Sequence, residues 1–255
     1  IDPLGGALTR LCTNAHLGIT AENVAEMFNI NRDQQDIFAL SSHQKAVTAI
    51  DNGYFANQIV PINVAAKGHT KEVREDEHVR FNLNLQELSK LKPAFKKEGT
   101  VTAGNASGIN DGAAALVMAS SLYAQSQGIK PLARMVDYSF SGVEPELMGM
   151  GPVPAVTKLL AKTGLSTGQI DLWEINEAFA AQALAVCHEL KLDANKVNPC
   201  GSGISLGHPI GATGAIIAVK AIHELQRTKG RFAIITMCIG GGQGLAILIE
   251  NLDYV

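Results

Sequence analysis

Several features that would point to particular classes of protein are missing from this sequence. Its 255 residues include 21 Lys or Arg and 24 Asp or Glu, and this balance gives no basic surface for nucleic acid. No apolar run is long enough to span a bilayer. The first residues, 1–6, include no Met and do not form a signal peptide, so we interpret Ile1 as a truncation point. We expect a cytoplasmic, globular protein that binds neither nucleic acid nor membrane.

Cysteine is also scarce, and its distribution excludes two further kinds of site. The four cysteines form no C-x-x-C pair, and their scatter does not suggest a disulfide framework. Cysteine and histidine show no paired ligand spacing either, so we predict no metal site. Cys187 lies among helical apolar residues and is interpreted as a small buried hydrophobe. Cys238 stands beside a glycine loop, a setting that suits a reactive thiol.

Periodicity, capping residues and glycine stops predict regular structure along most of the chain. Asn31 is expected to cap a helix, with Gln34 at its third position. The stretch 67–97 is charged and turn-rich, and we interpret it as a surface excursion with little core of its own. Helices are predicted at 20–30, 31–52, 120–127, 153–162 and 213–227, with one more starting at Asn176. Strands are predicted at 59–62 (an edge strand), 132–138, 171–175, 231–237 and 244–250, with a compact apolar run at 113–119.

From about residue 131 onward, predicted strands and helices alternate. Alternation of this kind is typical of an α/β layer structure with a largely parallel sheet. The final two strands are joined only by a run of glycines, which predicts a hairpin.

Three short motifs in the last third of the chain suit chemistry on an acyl group. They are Asn-Glu-Ala-Phe at 176–179, Gly-His-Pro at 207–209 and Cys-Ile-Gly-Gly-Gly at 238–242. A His and a Cys can move protons, while an Asn and glycine amides can hold a developing oxyanion. Each motif also has a structural interpretation: His208 in a tight turn, Asn176 as a helix N-cap, and the glycines as a plain hairpin turn.

The three motifs, in this order, resemble the C-terminal signatures of the thiolase family. Segments 18–25 and 99–108 resemble that family too, and 197–209 is most similar to bacterial biosynthetic-type β-ketothiolases. The resemblance implies a layered αβαβα fold, of which this chain is the C-terminal portion with a mixed sheet. It also implies three regions: a CoA-binding covering loop at 1–109, the end of the N-terminal core domain at 110–131, and the C-terminal domain at 132–255.

The resemblance implies roles for four residues at the reacting atoms. His208 would activate the acylated cysteine and polarise a thioester carbonyl, and Asn176 would hold a water that completes that oxyanion site. Cys238 would remove or return the proton on the substrate α-carbon, and Gly240 would donate its amide to a second oxyanion hole. A thiolate base requires a lowered pKa at Cys238, which a helix end or a charged neighbour would supply.

The family's covering loop further implies a set of residues that contact CoA. Two positions depart from the family pattern: Leu17 replaces the usual Met, which bears on chain-length preference, and Cys200 replaces an Asn without an evident mechanistic consequence. The residues implied for CoA are His16, Leu17, Arg80, Phe95, Ala103, Ser107, Ala178 and Phe179.

By this resemblance, the intact protein would interconvert two acetyl-CoA with acetoacetyl-CoA and CoA. CoA thioesters would be substrates, no cofactor would be bound permanently, and the protein would form a homodimer or homotetramer. Thiolases carry the acylated cysteine in an N-terminal domain. No cysteine here has that context, and Cys12 is a poor substitute, so we expect the chain alone to be inactive and the missing N-terminal domain to be its partner.

Three other functions are alternatives to this one. A degradative 3-ketoacyl-CoA thiolase of fatty-acid β-oxidation is an alternative within the same family. An inactive CoA-binding or assembly fragment is an alternative from a different class. A decarboxylating condensing enzyme is disfavoured by Cys238, because such enzymes lack a Cys-Ile-Gly-Gly-Gly loop.

Overall fold

The computed structural model describes residues 8–9, 16–66 and 68–254. Cys12 and the proposed truncation point at Ile1 lie outside the described residues. Within the described part of the chain, none of the helices combines the length and apolar character that a bilayer crossing requires.

The predicted elements recur in the predicted order, and the structure adds a strand at 69–73, helices at 85–89 and 203–206, and short 3-10 turns. The helices are α1 (Leu17–Met27), α2 (Arg32–Asp51), α3 (Leu85–Ser89), α4 (Ser121–Ser126), α5 (Pro152–Thr163), α6 (Ala180–Glu189), α7 (Gly203–Leu206) and α8 (Thr213–Thr228). The strands are β1 (Ile62–Ala66), β2 (His69–Val73), β3 (Ala133–Gly142), β4 (Leu172–Ile175), β5 (Phe232–Ile239) and β6 (Gln243–Asn251).

The two N-terminal helices are fixed by side-chain caps. The Asn31 side chain accepts from the Gln34 N–H at 2.9 Å, and Gln34 Oε1 accepts from the Asn31 N–H at 2.8 Å. This capping box confirms the predicted start of α2. Helix α1 begins earlier than residue 20, because His16 acts as its N-cap and accepts the Gly18 N–H at 3.0 Å through Nδ1.

The described residues of the segment 67–97 contribute little core, as expected for a surface excursion, with Val79 and Leu88 as their buried side chains. Strands β1 and β2 form a two-stranded hairpin in which Ile62 pairs with Val73. The prediction of an edge strand at 59–62 was wrong for its first three residues. Pro61 has no N–H to donate, and pairing begins only at the residue after it. The apolar run 113–119 is exposed and has no regular structure.

The second half is built on a four-stranded mixed sheet with the order β3-β6-β5-β4. Strand β6 pairs antiparallel with both β3 and β5, and only β4 and β5 run parallel. The predicted hairpin of β5 and β6 is confirmed. The prediction of a largely parallel sheet was wrong, because the antiparallel hairpin occupies the centre of the sheet and β3 also pairs antiparallel with β6, which leaves β4–β5 as the one parallel pair among the described strands.

Helices cover both faces of this sheet, and successive residues of β5 point to opposite sides. Ile234 packs in one apolar cluster with residues of α5 and α6, among them Leu159 and Val186. Its neighbour Ile235 packs in a second cluster with residues of α8, among them Leu225. The result is a helix–sheet–helix layering of the kind that the alternating pattern predicts.

The loop after β4 differs from the sequence prediction. Asn176 does not begin a helix: α6 starts at Ala180, with Phe179 as its N-cap. The Asn176 N–H instead donates to the Thr236 carbonyl of β5 at 3.0 Å, so the chain stays in register with the sheet for one residue beyond β4. Asn176 therefore lies in a loop at the carboxyl end of a parallel strand, where open α/β sheets bind ligands.

Candidate active site

His208 occupies a turn between α7 and α8, and its ring is held from both sides. Nδ1 lies 2.6 Å from the Thr213 hydroxyl, which itself donates to the Pro209 carbonyl at 2.9 Å. Since Thr213 has one hydroxyl hydrogen and gives it to Pro209, it must accept from Nδ1–H. This assigns the proton of neutral His208 to Nδ1 and leaves Nε2 with a free lone pair.

The Asn176 side chain approaches that free nitrogen. Its Nδ2 lies 3.3 Å from Nε2 of His208, a geometry that suits an amide donor and an imidazole acceptor. Asn176 is fully buried, and its Oδ1 has no hydrogen-bond partner within the described part of the chain. Burial also lowers the pKa of His208 below 6.5, which keeps the ring neutral near pH 7. The pair therefore presents a neutral base beside an unused acceptor.

Cys238 lies near the end of β5 and is buried in an apolar cluster. Its neighbours there include Ala21, Val101, Met148 and Phe179. Burial raises the pKa of the Cys238 thiol to about 12. This contradicts the lowered pKa that we expected from the sequence. The reason is local, since the group is surrounded by apolar side chains instead of a helix end or a cation.

A chain of contacts joins the three sequence motifs. Asn176 contacts His208 through its side chain and Thr236, two residues before Cys238, through its backbone. Two residues that follow Asn176, Ala178 and Phe179, pack in the same cluster as Cys238. Motifs from three distant parts of the sequence are thus adjacent in the fold.

One cavity lies beside this region. It has a volume of about 390 Å³ and is lined by residues 110–114 on one side and by 209–212 and Ala215 on the other. Neither His208 nor Cys238 is among its lining residues. The three sequence motifs also predict one cavity shared by His208 and Cys238, with Asn176 on its wall, and this stays a prediction.

Gly240 opens the turn between β5 and β6. Its carbonyl accepts from Gln243 Nε2 at 3.3 Å, and the next two glycines, Gly241 and Gly242, have φ angles of 87° and 92°. Only glycine adopts such angles at low cost, which explains the run. The glycines therefore do form a hairpin turn, as in the structural interpretation. The use of the Gly240 amide as an oxyanion donor stays a prediction.

Several residues implied for CoA converge beside Cys238. The ring of Phe95 stacks on His16 at 4.8 Å and meets Phe179 edge-on at 6.0 Å. Leu17 and Phe95 pack against the Cys238 cluster. The Ser107 N–H donates to the Ala178 carbonyl at 2.9 Å, which ties the covering segment to the loop after β4.

The other two residues implied for CoA lie apart from that cluster. Ala103 is exposed on the turn that follows Thr102. The Arg80 N–H donates to His43 Nδ1 at 3.1 Å, and Arg80 lines a second cavity of about 200 Å³. Their contact with CoA stays a prediction.

The structure adds residues that the sequence did not single out for the site. Thr213 could have been found, because it opens a helix five residues after His208 and carries a hydroxyl. Asn110 gave no such signal, yet its Oδ1 accepts the His208 N–H at 3.1 Å. Met148 likewise packs in the Cys238 cluster from a segment that no motif marked.

Two models of the thiolase family match this chain, one in each half. The family model "Thiolase, N-terminal domain" matches residues 4–121, and "Thiolase, C-terminal domain" matches residues 129–251. The beta-ketothiolase BktB of Cupriavidus necator is 55% identical over 255 residues, which cover 99% of this chain and 64% of that protein. The division of the chain into the three regions expected from the sequence stays a prediction.

Solved structures agree in fold. The acetyl-CoA acetyltransferase of Bacillus anthracis superposes with a TM-score of 0.97 at 50% identity, covering 98% of this chain and 64% of that one. The human mitochondrial 3-ketoacyl-CoA thiolase in complex with CoA superposes with a TM-score of 0.91 at 42% identity, covering 98% and 62%. The layered fold expected from the sequence is confirmed. The chain spans less than two thirds of the length of these relatives.

Proposed function

This chain belongs to the thiolase family, and from that premise we propose that the intact protein joins two acetyl-CoA into acetoacetyl-CoA and CoA, and catalyses the reverse. The observation that supports this most is the His208 ring held between Asn176 and Thr213, with the Asn176 backbone bonded to the strand that carries Cys238. The proposal concerns the whole protein, with the acyl-carrying cysteine supplied by a stretch of the N-terminal domain that this chain does not include.

In the first half-reaction, the N-terminal cysteine would attack the thioester carbonyl of acetyl-CoA. Its thiol proton passes to Nε2 of His208, the nitrogen that carries no proton because the Nδ1–H is bonded to Thr213. The carbon–sulfur bond to CoA breaks, and the leaving sulfur takes a proton from Cys238. The products are an acetyl-enzyme, free CoA, a protonated His208 and a Cys238 thiolate.

In the second half-reaction, that thiolate would remove a proton from the α-carbon of a second acetyl-CoA. Because burial raises the pKa of Cys238 to about 12, its thiolate is a stronger base than an ordinary cysteine thiolate. The carbanion attacks the acetyl-enzyme carbonyl, the carbon–sulfur bond to the enzyme breaks, and His208 returns its proton to the enzyme sulfur. Asn176, through a bound water, and the Gly240 amide are the proposed donors to the oxyanions.

The covering segment would bind the CoA thioester. His16, Leu17 and Phe95 form an aromatic and apolar wall beside Cys238, which suits a chain that must reach a water-poor centre. The CoA-bound human relative shares this fold. We propose CoA thioesters as substrates, a homodimer or homotetramer as the assembly, and a cytoplasmic location.

A second candidate is a degradative thiolase that cleaves longer 3-ketoacyl-CoA. The position of Leu17 favours this alternative, because its side chain packs in the apolar wall where an acyl chain would lie. Relative kcat/KM values for thiolysis of acetoacetyl-CoA and of longer 3-ketoacyl-CoA would separate the two. A higher value for the longer substrates would favour the degradative activity.

The test of the main proposal is a turnover assay of the intact purified protein. We expect consumption of acetoacetyl-CoA in the presence of CoA, with acetyl-CoA formed in a 2:1 ratio as the reaction requires. An acetyl-enzyme should be detected by mass spectrometry after incubation with acetyl-CoA alone. Tight CoA binding without turnover or acylation would instead indicate a CoA-binding or assembly protein.

A further inference from the structure

Glu177 is a buried carboxylate that the proposed chemistry leaves without a role. It follows Asn176 directly, and its side chain makes three hydrogen bonds. Oε2 accepts from the Ser42 hydroxyl at 2.6 Å and from the Ile204 N–H at 3.4 Å, and Oε1 accepts from Asn198 Nδ2 at 2.8 Å. All three partners donate here, and two of them, Asn198 Nδ2 and the Ile204 N–H, can only donate, so each carboxylate oxygen faces a group that needs an acceptor.

Two of the three partners of Glu177, Ile204 and Asn198, connect it to the segments that carry the reacting groups. Ile204 lies in α7, the short helix whose end leads through Gly207 into His208. Asn198 also brackets Ile175, the residue before Asn176, by accepting its N–H at 2.8 Å and donating to its carbonyl at 2.9 Å. One carboxylate therefore touches both the loop of Asn176 and the turn of His208.

The third partner connects this pair of loops to a long helix. Ser42 lies in α2, whose 20 residues are anchored by the capping box at its start. Packing leaves little freedom at the junction: a Cβ added to Gly203 would lie 2.8 Å from Asn176 Oδ1 and 2.9 Å from the Glu177 carbonyl oxygen. The two loops are thus in van der Waals contact, and the carboxylate fixes their relative position.

We propose that Glu177 is a positioning residue, which holds the Asn176 side chain against Nε2 of His208 by fastening both loops to α2. The inference rests on the proposed function. A glutamine of the same shape would not replace it, because its amide nitrogen would face an obligate donor in either orientation, Asn198 Nδ2 on one side or the Ile204 N–H on the other. One of the two loops would then shift, and the 3.3 Å contact between Asn176 and His208 would open.

Glu22 provides a matched control elsewhere in the fold. It too is a buried carboxylate that accepts only from donors, namely the Thr100 N–H and hydroxyl and the Val101 N–H. Those donors belong to the covering segment and not to the loops of Asn176 or His208. Glu22→Gln should therefore disturb the apolar wall beside Cys238, which would bind the substrate. Glu177→Gln should disturb the pair of Asn176 and His208, which would transfer the proton.

The experiment compares both variants in the intact protein, at a temperature at which each is shown to be folded. For Glu177→Gln we expect kcat for acetoacetyl-CoA thiolysis to fall by about 100-fold with KM changed by less than about threefold, because the base is displaced. For Glu22→Gln we expect the larger change in KM. Ser42→Ala, which removes one donor and keeps the carboxylate, should lower kcat in the same direction by less.

A second readout does not depend on turnover. Nitrogen-15 NMR of His208 reports which ring nitrogen carries the proton and whether Nε2 accepts a hydrogen bond. Glu177→Gln should alter the Nε2 signal, and Glu22→Gln should leave it unchanged. An unaltered His208 signal together with equal kcat losses in the two variants would overturn the positioning role. Absence of activity in the parent protein would refute the proposed function, while the NMR comparison would still decide the role of Glu177.

Discussion

The two proton-handling candidates of this site lie in opposite environments. The ring of His208 has a polar partner at each nitrogen, Thr213 at Nδ1 and Asn176 at Nε2, and burial lowers its pKa. Cys238 is packed among apolar side chains, and burial raises its pKa to about 12. Both shifts favour the neutral form. The histidine thus becomes a ready base with a fixed tautomer, whereas the thiol stays protonated until the reaction takes its proton.

The two environments also come from different parts of the chain. The polar side is built from residues 176–213, where loops follow strand and helix ends. The apolar side draws on α1 and the covering segment, through Leu17, Ala21 and Phe95. Substitutions on the polar side should therefore damage proton transfer, and substitutions on the apolar side should alter substrate fit or α-carbon chemistry.

The largest expected effect is at His208. In the intact protein, His208→Ala should lower both acyl-enzyme formation and condensation, each by about 100- to 10,000-fold, because one base serves both half-reactions. Labelled acetyl-CoA with mass spectrometry measures acylation, and acetoacetyl-CoA turnover measures the whole cycle. Undiminished acylation in this variant would mean that another group activates the nucleophile.

Cys238→Ser should impair condensation more than acylation. A hydroxyl is too weak an acid to serve as the α-carbon acid and base, so condensation should fall by about 100-fold or more. Acylation should remain detectable, since it depends mainly on His208 and the oxyanion donors. If Cys238→Ser abolished acyl-enzyme formation as fully as His208→Ala, the assignment of separate roles to the two sides would be wrong.

Thr213→Val tests the fixed tautomer on the polar side. Valine matches the shape of threonine but cannot accept from Nδ1–H, so the ring can carry its proton on either nitrogen. The variant also loses the bond to the Pro209 carbonyl, but kcat should respond to the bond with His208, whose loss at about 1 kcal/mol corresponds to a decrease of roughly fivefold. Thr213→Ser keeps the hydroxyl and is the control. Equal kcat values for Val and Ser would show that the contact does not set the tautomer.

The pH dependence follows from the lowered pKa of His208. Acylation needs the neutral ring, so the rate should hold as pH falls below 6.5 and decline only as pH passes through the lowered pKa. Because the folded-state pKa is depressed, His208 also lowers the free energy of unfolding as pH falls from about 6.5, where the unfolded chain takes up the proton, to the lowered pKa of the folded ring. A pH profile of acylation rate checks this, and a midpoint above 6.5 would contradict the burial of the ring in the intact protein.

How well the sequence predicted each feature depends on how local that feature is. The Asn31 cap, the glycine hairpin and the start of α8 depend on a few adjacent residues, and all three were predicted correctly. The largely antiparallel pairing of the sheet was not predicted, because it depends on β3 pairing with β6 across more than a hundred residues. Asn176 looked like an N-cap because the sequence does not reveal its backbone bond to Thr236.

The same distinction between local and long-range features applies to the candidate site. Its three motifs were visible because each is a short unusual string, and their adjacency was inferred from chemistry. The environment of Cys238 could not be predicted, because its neighbours come from positions 21, 101 and 148, which are far apart in the sequence, and the resemblance of 18–25 and 99–108 to the family does not show that they pack against this thiol. The pKa of the thiol was accordingly expected to move in the wrong direction.

The smallest expected effect is at Leu17, on the apolar side. Leu17→Met changes the shape of the wall beside Cys238 at nearly constant volume, so the cost in stability should stay below about 1.5 kcal/mol. The ratio of kcat/KM values for acetoacetyl-CoA and a longer 3-ketoacyl-CoA should change by less than about tenfold, since a methylene-sized difference is worth about 1 kcal/mol. Met27→Leu, on the exposed end of the same helix, is the matched control and should leave that ratio unchanged. A large fall in acylation rate for Leu17→Met would show that the apolar side also controls the chemistry assigned to His208.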